Sequence, residues 1–262
     1  MNCKELFLRD DFAHLDRTIE VRLSDLDPFG HLALSRLCGH LQDAAGDHAT
    51  RLGCGLNEII PQKRTWMMSR LTLDLLKPLG INDTLLLRTW PSGVRRGLVA
   101  MRDFVGLDSA GEPVFAAASE WLFIDTERLR ITRLPESLLA LMNDAIPHVA
   151  LSDDTPTPAI AADWTPAVAT NLFTRHSDLD INHHANNTRY SDWFLEPLAP
   201  EFVAAHRLSH IDITFKTGAS FRETVESAVS APAADTPITH RLRRIADNAT
   251  LAVATSRWAA LA

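Results

Sequence analysis

Apolar residues recur three and four apart along 34–52, at Leu34, Leu37, Cys38, Leu41, Ala45 and Leu52, with His48 in the same register. That spacing predicts a helix with one buried stripe. Gly53 and Gly55 mark where it should stop. A shorter apolar face of Tyr190, Trp193, Phe194 and Leu198 predicts a second helix. Asn186 and Asn187 stand at its start as N-cap candidates, and Pro197 and Pro200 limit it. Partial alternation of apolar and polar positions predicts four strands after each helix. They cover 65–76, 83–90, 98–107 and 113–125, then 207–216, 224–230, 238–245 and 249–258. Residues 109–112 and the pair Asp247-Asn248 read as hairpin turns. The stretch 146–166 is rich in Pro, Ala, Asp and Thr, a linker composition. These patterns divide the chain into an N-terminal domain over 1–148, a linker over 149–166 and a C-terminal domain over 167–262.

A repeated phrase relates the two halves. Ser24-Asp25-Leu26-Asp27-Pro28-Phe29-Gly30-His31 is echoed by Ser177-Asp178-Leu179-Asp180-Ile181-Asn182-His183-His184, at a constant offset of 153 residues and with five of eight positions identical. Each half runs strand, phrase, helix and then four strands. A long helix laid across an antiparallel sheet is an α+β layer arrangement. Two such units in one chain make an internal pseudo-dimer.

The second phrase carries candidate chemistry. Read as an extended segment, it places Asp178, Asp180, Asn182 and His184 on one face, with Leu179, Ile181 and His183 on the other. A helix N-terminus follows, where backbone N–H groups favour a developing negative charge. His184 is then a candidate general base, and Asp180 a carboxylate that orients it, activates water or attacks directly. Asn182 is a candidate to position water or to donate to an oxyanion. The same residues also fit duller roles: Asp180 and Asn182 in a turn, His184 packed at a helix start, Asn186 and Asn187 as caps. A metal site from Asp178, Asp180, His183 and His184 is disfavoured, because His183 and His184 diverge in an extended segment and no H-E-x-x-H occurs. No G-x-S-x-G points to a serine hydrolase.

Composition narrows the class. The 262 residues are 46% hydrophobic and 23% charged, which suits a globular core. A net charge of -7 argues against nucleic acid as partner. The N-terminal residues carry five charges and no apolar core of signal-peptide length. No stretch approaches the ~20 apolar residues that span a bilayer. The three cysteines, Cys3, Cys38 and Cys54, show no close pairing, as expected of reduced thiols in a cytoplasmic protein without a disulfide framework or a metal site.

The run from Asp178 to Asn187, followed by Tyr190, Trp193, Leu195 and Glu196, resembles the D-L-D-x-N-x-H-x-N-N-x-x-Y-x-x-W-x-L-E signature of the acyl-acyl carrier protein thioesterases of plant plastids and bacteria. Asp27 to His31, Leu41 to Ala45, His48-Ala49, Trp66 to Arg70, Thr89-Trp90 and Ser119-Glu120-Trp121 extend the likeness over nearly the whole chain. The resemblance implies a double hot-dog fold, each long helix wrapped by its sheet. It implies release of a free fatty acid from acyl carrier protein bearing a fatty acyl phosphopantetheine, as in fatty acid biosynthesis, with no cofactor and no metal. The catalytic Asp, Asn and His of the signature fall on Asp180, Asn182 and His184. The N-terminal half would shape the acyl pocket, with Trp66, Met67, Met68 and Phe104 as lining candidates. Asn186, Asn187, Trp66, Arg64, Asp27 and His31 are the candidate substrate-binding residues, and Asp27 and His31 also stand as a candidate second site. The family often places an acidic residue, sometimes beside a cysteine, after the next strand. Here that region reads Phe215-Lys216-Thr217-Gly218-Ala219-Ser220, with no carboxylate or cysteine.

Two other activities fit the same residues: an acyl-coenzyme A thioesterase, and a non-catalytic module that binds acyl thioesters. An acidic carrier calls for a basic docking patch, for which Lys63-Arg64, Arg95-Arg96, Arg175 with Arg189, and Arg241-Arg243-Arg244 are candidates. Either a monomer or a homodimer suits a doubled unit, and no membrane association is expected.

Overall fold

The helix expected from the three-and-four spacing runs Leu34–Arg51, with Leu37, Cys38, Leu41, Ala44, Ala45 and His48 buried along one side. The computed structural model describes residues 3–140, 149–150 and 156–261. Six α-helices occur among them: α1 (Cys3–Phe7), α2 (Leu34–Arg51), α3 (Leu56–Ile59), α4 (Glu136–Leu139), α5 (Asn187–Leu195) and α6 (Pro200–Ala205). The first six strands are β1 (Leu15–Glu20), β2 (Arg64–Leu75), β3 (Thr84–Arg95), β4 (Val99–Leu107), β5 (Pro113–Asp125) and β6 (Arg130–Ile131). The remaining five are β7 (Val168–Phe173), β8 (His206–Phe215), β9 (Thr224–Val229), β10 (Ile238–Arg244) and β11 (Thr250–Ala260).

The chain forms two units, Met1–Ala33 with Gly39–Thr155, and Leu34–Cys38 with Pro156–Ala262. The division falls inside α2, whose first five residues belong to the second unit. Of the expected linker, 149–166, residues 151–155 lie outside the described residues, as do 141–148 before it. Within each unit the strands pair antiparallel, and both units follow one order. It is β1-β3-β4-β5-β2 in the first unit, where β6 also pairs β5, and β7-β9-β10-β11-β8 in the second. The repeat seen in the sequence is thus a repeat of topology.

Each unit has an apolar core, and in the first the strands β4 and β5 are buried on both faces along most of their length. In the first unit, Cys54, Ile59, Ala100, Phe123, Leu134 and Leu138 form one cluster, with Trp66 and Trp121 against it. In the second, Leu198, Val229, Ile238 and Trp258 do so, with Leu195, Phe202, Val203 and Leu208 around them. Each fully buried Leu or Ile contributes about 1.5–3 kcal/mol relative to exposure.

The structure also corrects the expected elements. β3 runs five residues past its expected end, through Pro91 to Arg95, and a register shift between Pro91 and Gly93 accommodates the proline. The second helix is shorter than its apolar face suggests. α5 ends at Leu195, and Pro200 opens the separate α6 as its first residue.

Candidate functional site

The repeated phrase is a turn rather than an extended segment, and the turn is built twice with the same bonds. In the second copy, Asp180 N–H donates to His184 O (2.8 Å), and Asn186 N–H to Asp178 O (2.8 Å). Asp180 Oδ1 accepts from Asn182 N–H at 2.8 Å, and Asp178 Oδ2 from Arg175 N–H at 2.7 Å. In the first copy, Asp27 N–H donates to His31 O (2.7 Å) and Ala33 N–H to Asp25 O (2.8 Å). Asp27 Oδ1 accepts from Phe29 N–H at 2.9 Å, and Asp25 Oδ2 from Arg22 N–H at 3.0 Å. The residue that turns the chain back is Gly30 (φ 80°) in one copy and His183 (φ 61°) in the other.

This overturns the expectation that four polar side chains share one face by alternation. Asp180 is a turn builder in both copies, in keeping with the habit of Asp to bond its own backbone two residues on. The tight turn leaves the side chains of Asn182 and His184 exposed and that of Asp180 half-buried. Asn186 caps α5, its Oδ1 accepting from Thr188 N–H at 3.0 Å, so that donor is not available to an oxyanion. Asn187 opens the helix. Among the described residues no group of three or more His, Cys, Asp or Glu is placed to hold a metal ion.

The loop between β8 and β9 is the floor of this turn. Ala185 N–H donates to Ala219 O at 2.8 Å. The Tyr190 hydroxyl donates to Thr217 O (3.3 Å) and accepts from Ala219 N–H (3.1 Å). Burial pushes that hydroxyl up to about 12, the charges of Glu223 and Asp180 add to the rise and Arg244 opposes it, so it remains a donor at neutral pH. Gly218 lies directly under His184. A Cβ built on Gly218 would stand 2.9 Å from His184 Cγ and 3.1 Å from its Cβ and Cδ2. The position where a carboxylate was expected is the surface on which the imidazole rests. Nothing in the sequence marks Gly218 as a seat, and the helical spacing that puts Tyr190 on an apolar face does not reveal the bonds of its hydroxyl.

Two sequence models match this chain in order: the acyl-ACP thioesterase N-terminal domain over residues 13–142, and the acyl-ACP thioesterase C-terminal domain over 163–260. The chain belongs to the acyl-ACP thioesterase family. It is 26% identical over 221 residues to a chloroplastic dodecanoyl-[acyl-carrier-protein] hydrolase of Cinnamomum camphora, covering 80% of this chain and 58% of that protein. It is 23% identical over 209 residues to a chloroplastic palmitoyl-acyl carrier protein thioesterase of Cuphea hookeriana, covering 74% and 49%. The chain spans about half the length of these relatives. Among solved structures it is similar to an acyl-ACP thioesterase of Bacteroides thetaiotaomicron, with TM-score 0.81, 18% identity and coverage of 98% and 100%. It is similar also to the 12:0-ACP thioesterase of Umbellularia californica, with TM-score 0.83, 20% identity and coverage of 95% and 98%. The fold is the tandem hot-dog of that family, an α+β arrangement.

The other expected site residues of this family member are spread over the first unit. Trp66 Nε1–H donates to Cys54 O (3.0 Å), and its ring lies 4.8 Å from that of Phe123. Met68 and Phe104 are buried, whereas Met67 is 44% exposed and is not an interior residue. Arg64 is held by Asp125 at 3.2 Å. Most of the candidate docking cations are neutralised in the same way. Arg95 meets Glu120 at 2.6 Å, Arg241 and Arg243 share Glu226 at 3.1 and 2.8 Å, and Arg244 meets Glu223 and Asp247 at 3.3 and 3.0 Å. Arg189 faces Asp192 at 3.7 Å.

Buried histidines form polar centres in each unit, His48 on the apolar side of α2 and His240 on β10. His240 Nε2 accepts from the Ser256 hydroxyl at 2.7 Å, Trp258 Nε1–H donates to the same oxygen at 2.9 Å, and His240 Nδ1–H donates to Phe194 O at 3.2 Å. The pair resembles a base with its nucleophile. Both residues are fully enclosed and every polar atom is bonded, so it is a core network. In the first unit, Arg102 Nη1–H donates to His48 Nδ1 (3.0 Å) and to Thr89 Oγ1 (3.2 Å). Burial, with the nearby Arg102 charge, holds His48 down to about 3.

Proposed function

We propose that this chain hydrolyses fatty acyl thioesters carried on acyl carrier protein, releasing the free fatty acid and ending elongation of the chain. The observation that carries the reading is the match of both family domains, in order, over the two structural units. Water adds to the thioester carbonyl, and the C–S bond breaks as the carbonyl re-forms. The products are a carboxylic acid and the carrier thiol.

The second turn supplies the groups. His184, seated on Gly218, takes the proton of the attacking water and returns one to the leaving sulfur, a role worth roughly 10²–10⁴ in rate. Asp180 supplies the carboxylate, since the 215–220 region offers none. Asn182 donates to the carbonyl oxygen as charge develops, worth about 2.7–4 kcal/mol for a well-placed donor. The N-terminal unit, with Trp66, receives the acyl chain. Asp27 and His31 hold the matching turn there rather than a second centre, because Phe29 stands where Asn182 stands in the second copy.

Incubating the purified protein with acyl carrier proteins of graded chain length, and following thiol release, tests the reading. Release of free carrier is expected. Release from acyl-coenzyme A with no turnover of any acyl carrier protein would replace the proposed substrate.

A further inference from the structure

The loop that seats His184 is held by an arginine as well as by the turn. Arg244, the last residue of β10, donates through Nη1 to Gly218 O at 3.2 Å and to both carboxylate oxygens of Glu223 at 3.4 and 3.3 Å. Its other two nitrogens form a fork on Asp247, Nε to Oδ1 and Nη2 to Oδ2, both at 3.0 Å. The fork fixes the guanidinium plane and aims Nη1 at the loop. Glu223 caps the loop through Ser220 N–H at 2.8 Å.

Comparison of the two copies isolates what is special. The first unit has the same cap, Gly80 N–H on Asp83 Oδ2 at 2.7 Å, and the same floor bond, Leu32 N–H on Leu79 O at 2.7 Å. Matching these bonds aligns Asp83 with Glu223, Leu79 with Ala219, and therefore Pro78 with Gly218. Among the described residues no arginine bonds Pro78 O or Asp83. Only the copy that carries the aspartate, asparagine and histidine together has a glycine under the histidine and an arginine gripping that glycine's carbonyl.

We infer that Arg244 is a positioning residue for His184: it holds the Gly218 carbonyl, and through it the backbone surface on which the imidazole rests. The inference deepens the hydrolase reading and rests on it for its catalytic meaning. The grip itself is measurable without turnover. A displacement of about 1 Å at a catalytic group can cost up to ~10²-fold in rate, so loss of the grip is felt in kcat before KM.

The test compares Arg244→Met and Arg244→Lys with the parent chain. Lysine keeps the charge but lacks the planar fork, so it guards against a methionine variant that fails to fold. The imidazole signal of His184 is assigned by its loss in His184→Ala and followed by NMR. Lys77→Met, which removes an ion pair to Asp108 in the other unit, is the control. The expected result is a displaced His184 signal and a kcat lowered roughly tenfold at unchanged KM in the Arg244 variants, with neither change in the control. An unmoved His184 signal in a folded Arg244 variant overturns the inference, as does an unchanged kcat. If the parent chain turns over no acyl thioester, the hydrolase reading fails, and the His184 signal alone then decides whether Arg244 holds the seat.

Discussion

Asp180 does two jobs that one substitution can separate. Its Oδ1 holds the turn by accepting Asn182 N–H, while its charge serves the proposed chemistry. Asn keeps the acceptor and removes the charge. Asp180→Asn is therefore expected to lower kcat at least about 10²-fold while the thermal midpoint moves by no more than a few degrees. The matching Asp27→Asn should leave kcat within roughly twofold. Parallel melts and single-turnover assays check both, and equal losses at the two positions would place chemistry in the first copy as well. His183 makes a second residue-scale case. Its φ of 61° is the left-handed conformation that costs a side chain and suits glycine, which its counterpart Gly30 already is. His183→Gly is expected to change stability by less than about 1 kcal/mol, strain relief offsetting the greater freedom of the unfolded chain, and to keep full activity. Chemical denaturation and the hydrolysis assay check it, and a large loss of activity would give His183 a role it lacks here.

At the scale of elements, the buried His240 ties stability to pH. Burial holds it down to about 4 in the folded chain, against an ordinary value near 6.5. The unfolded chain therefore binds a proton below about 6.5 that the folded chain refuses until about 4. Stability contributed by the neutral ring is complete above 6.5, falls as pH drops through that window and levels off below it. A shift of this size corresponds to roughly 3 kcal/mol. Denaturant titrations at pH 7, 5.5 and 4 are expected to show the fall, and His240→Leu should be weaker at pH 7 but shallower in slope. An unchanged slope would remove His240 as its source.

The elements themselves were largely legible. Alternation placed β5 at its observed bounds, and the apolar stripe placed α2, because both patterns report which side faces a core. The turn at 178–184 was misread because alternation cannot distinguish an extended segment from one folded back by a side chain on its own backbone. The clue lay in the first copy, where Pro28 and Gly30 are turn residues and the offset carries Gly30 onto His183. The seat at Gly218 was not legible. It depends on a loop meeting the turn across the fold, and glycine declares only an absence of side chain.

For the whole molecule, duplication explains why two near-identical turns differ in use. One architecture is built twice, in the same strand order, and each copy keeps the bonds that close its phrase. The second copy alone adds Asn182, the glycine seat and the Arg244 grip. Its electrostatics are local as well. The net charge is -7, and most of the candidate docking arginines are tied to carboxylates, which leaves Lys63, Arg96 and Arg175 as the exposed members of those candidate patches outside these ion pairs. Hydrolysis of acyl carrier protein thioesters at the second turn is tested by single-turnover release of fatty acid from acyl carrier protein by the parent chain and by His184→Ala. Release by the parent and a loss of roughly 10²-fold or more in the variant are expected. Equal rates in the two proteins, or no release by the parent at any chain length, would contradict hydrolysis at that turn.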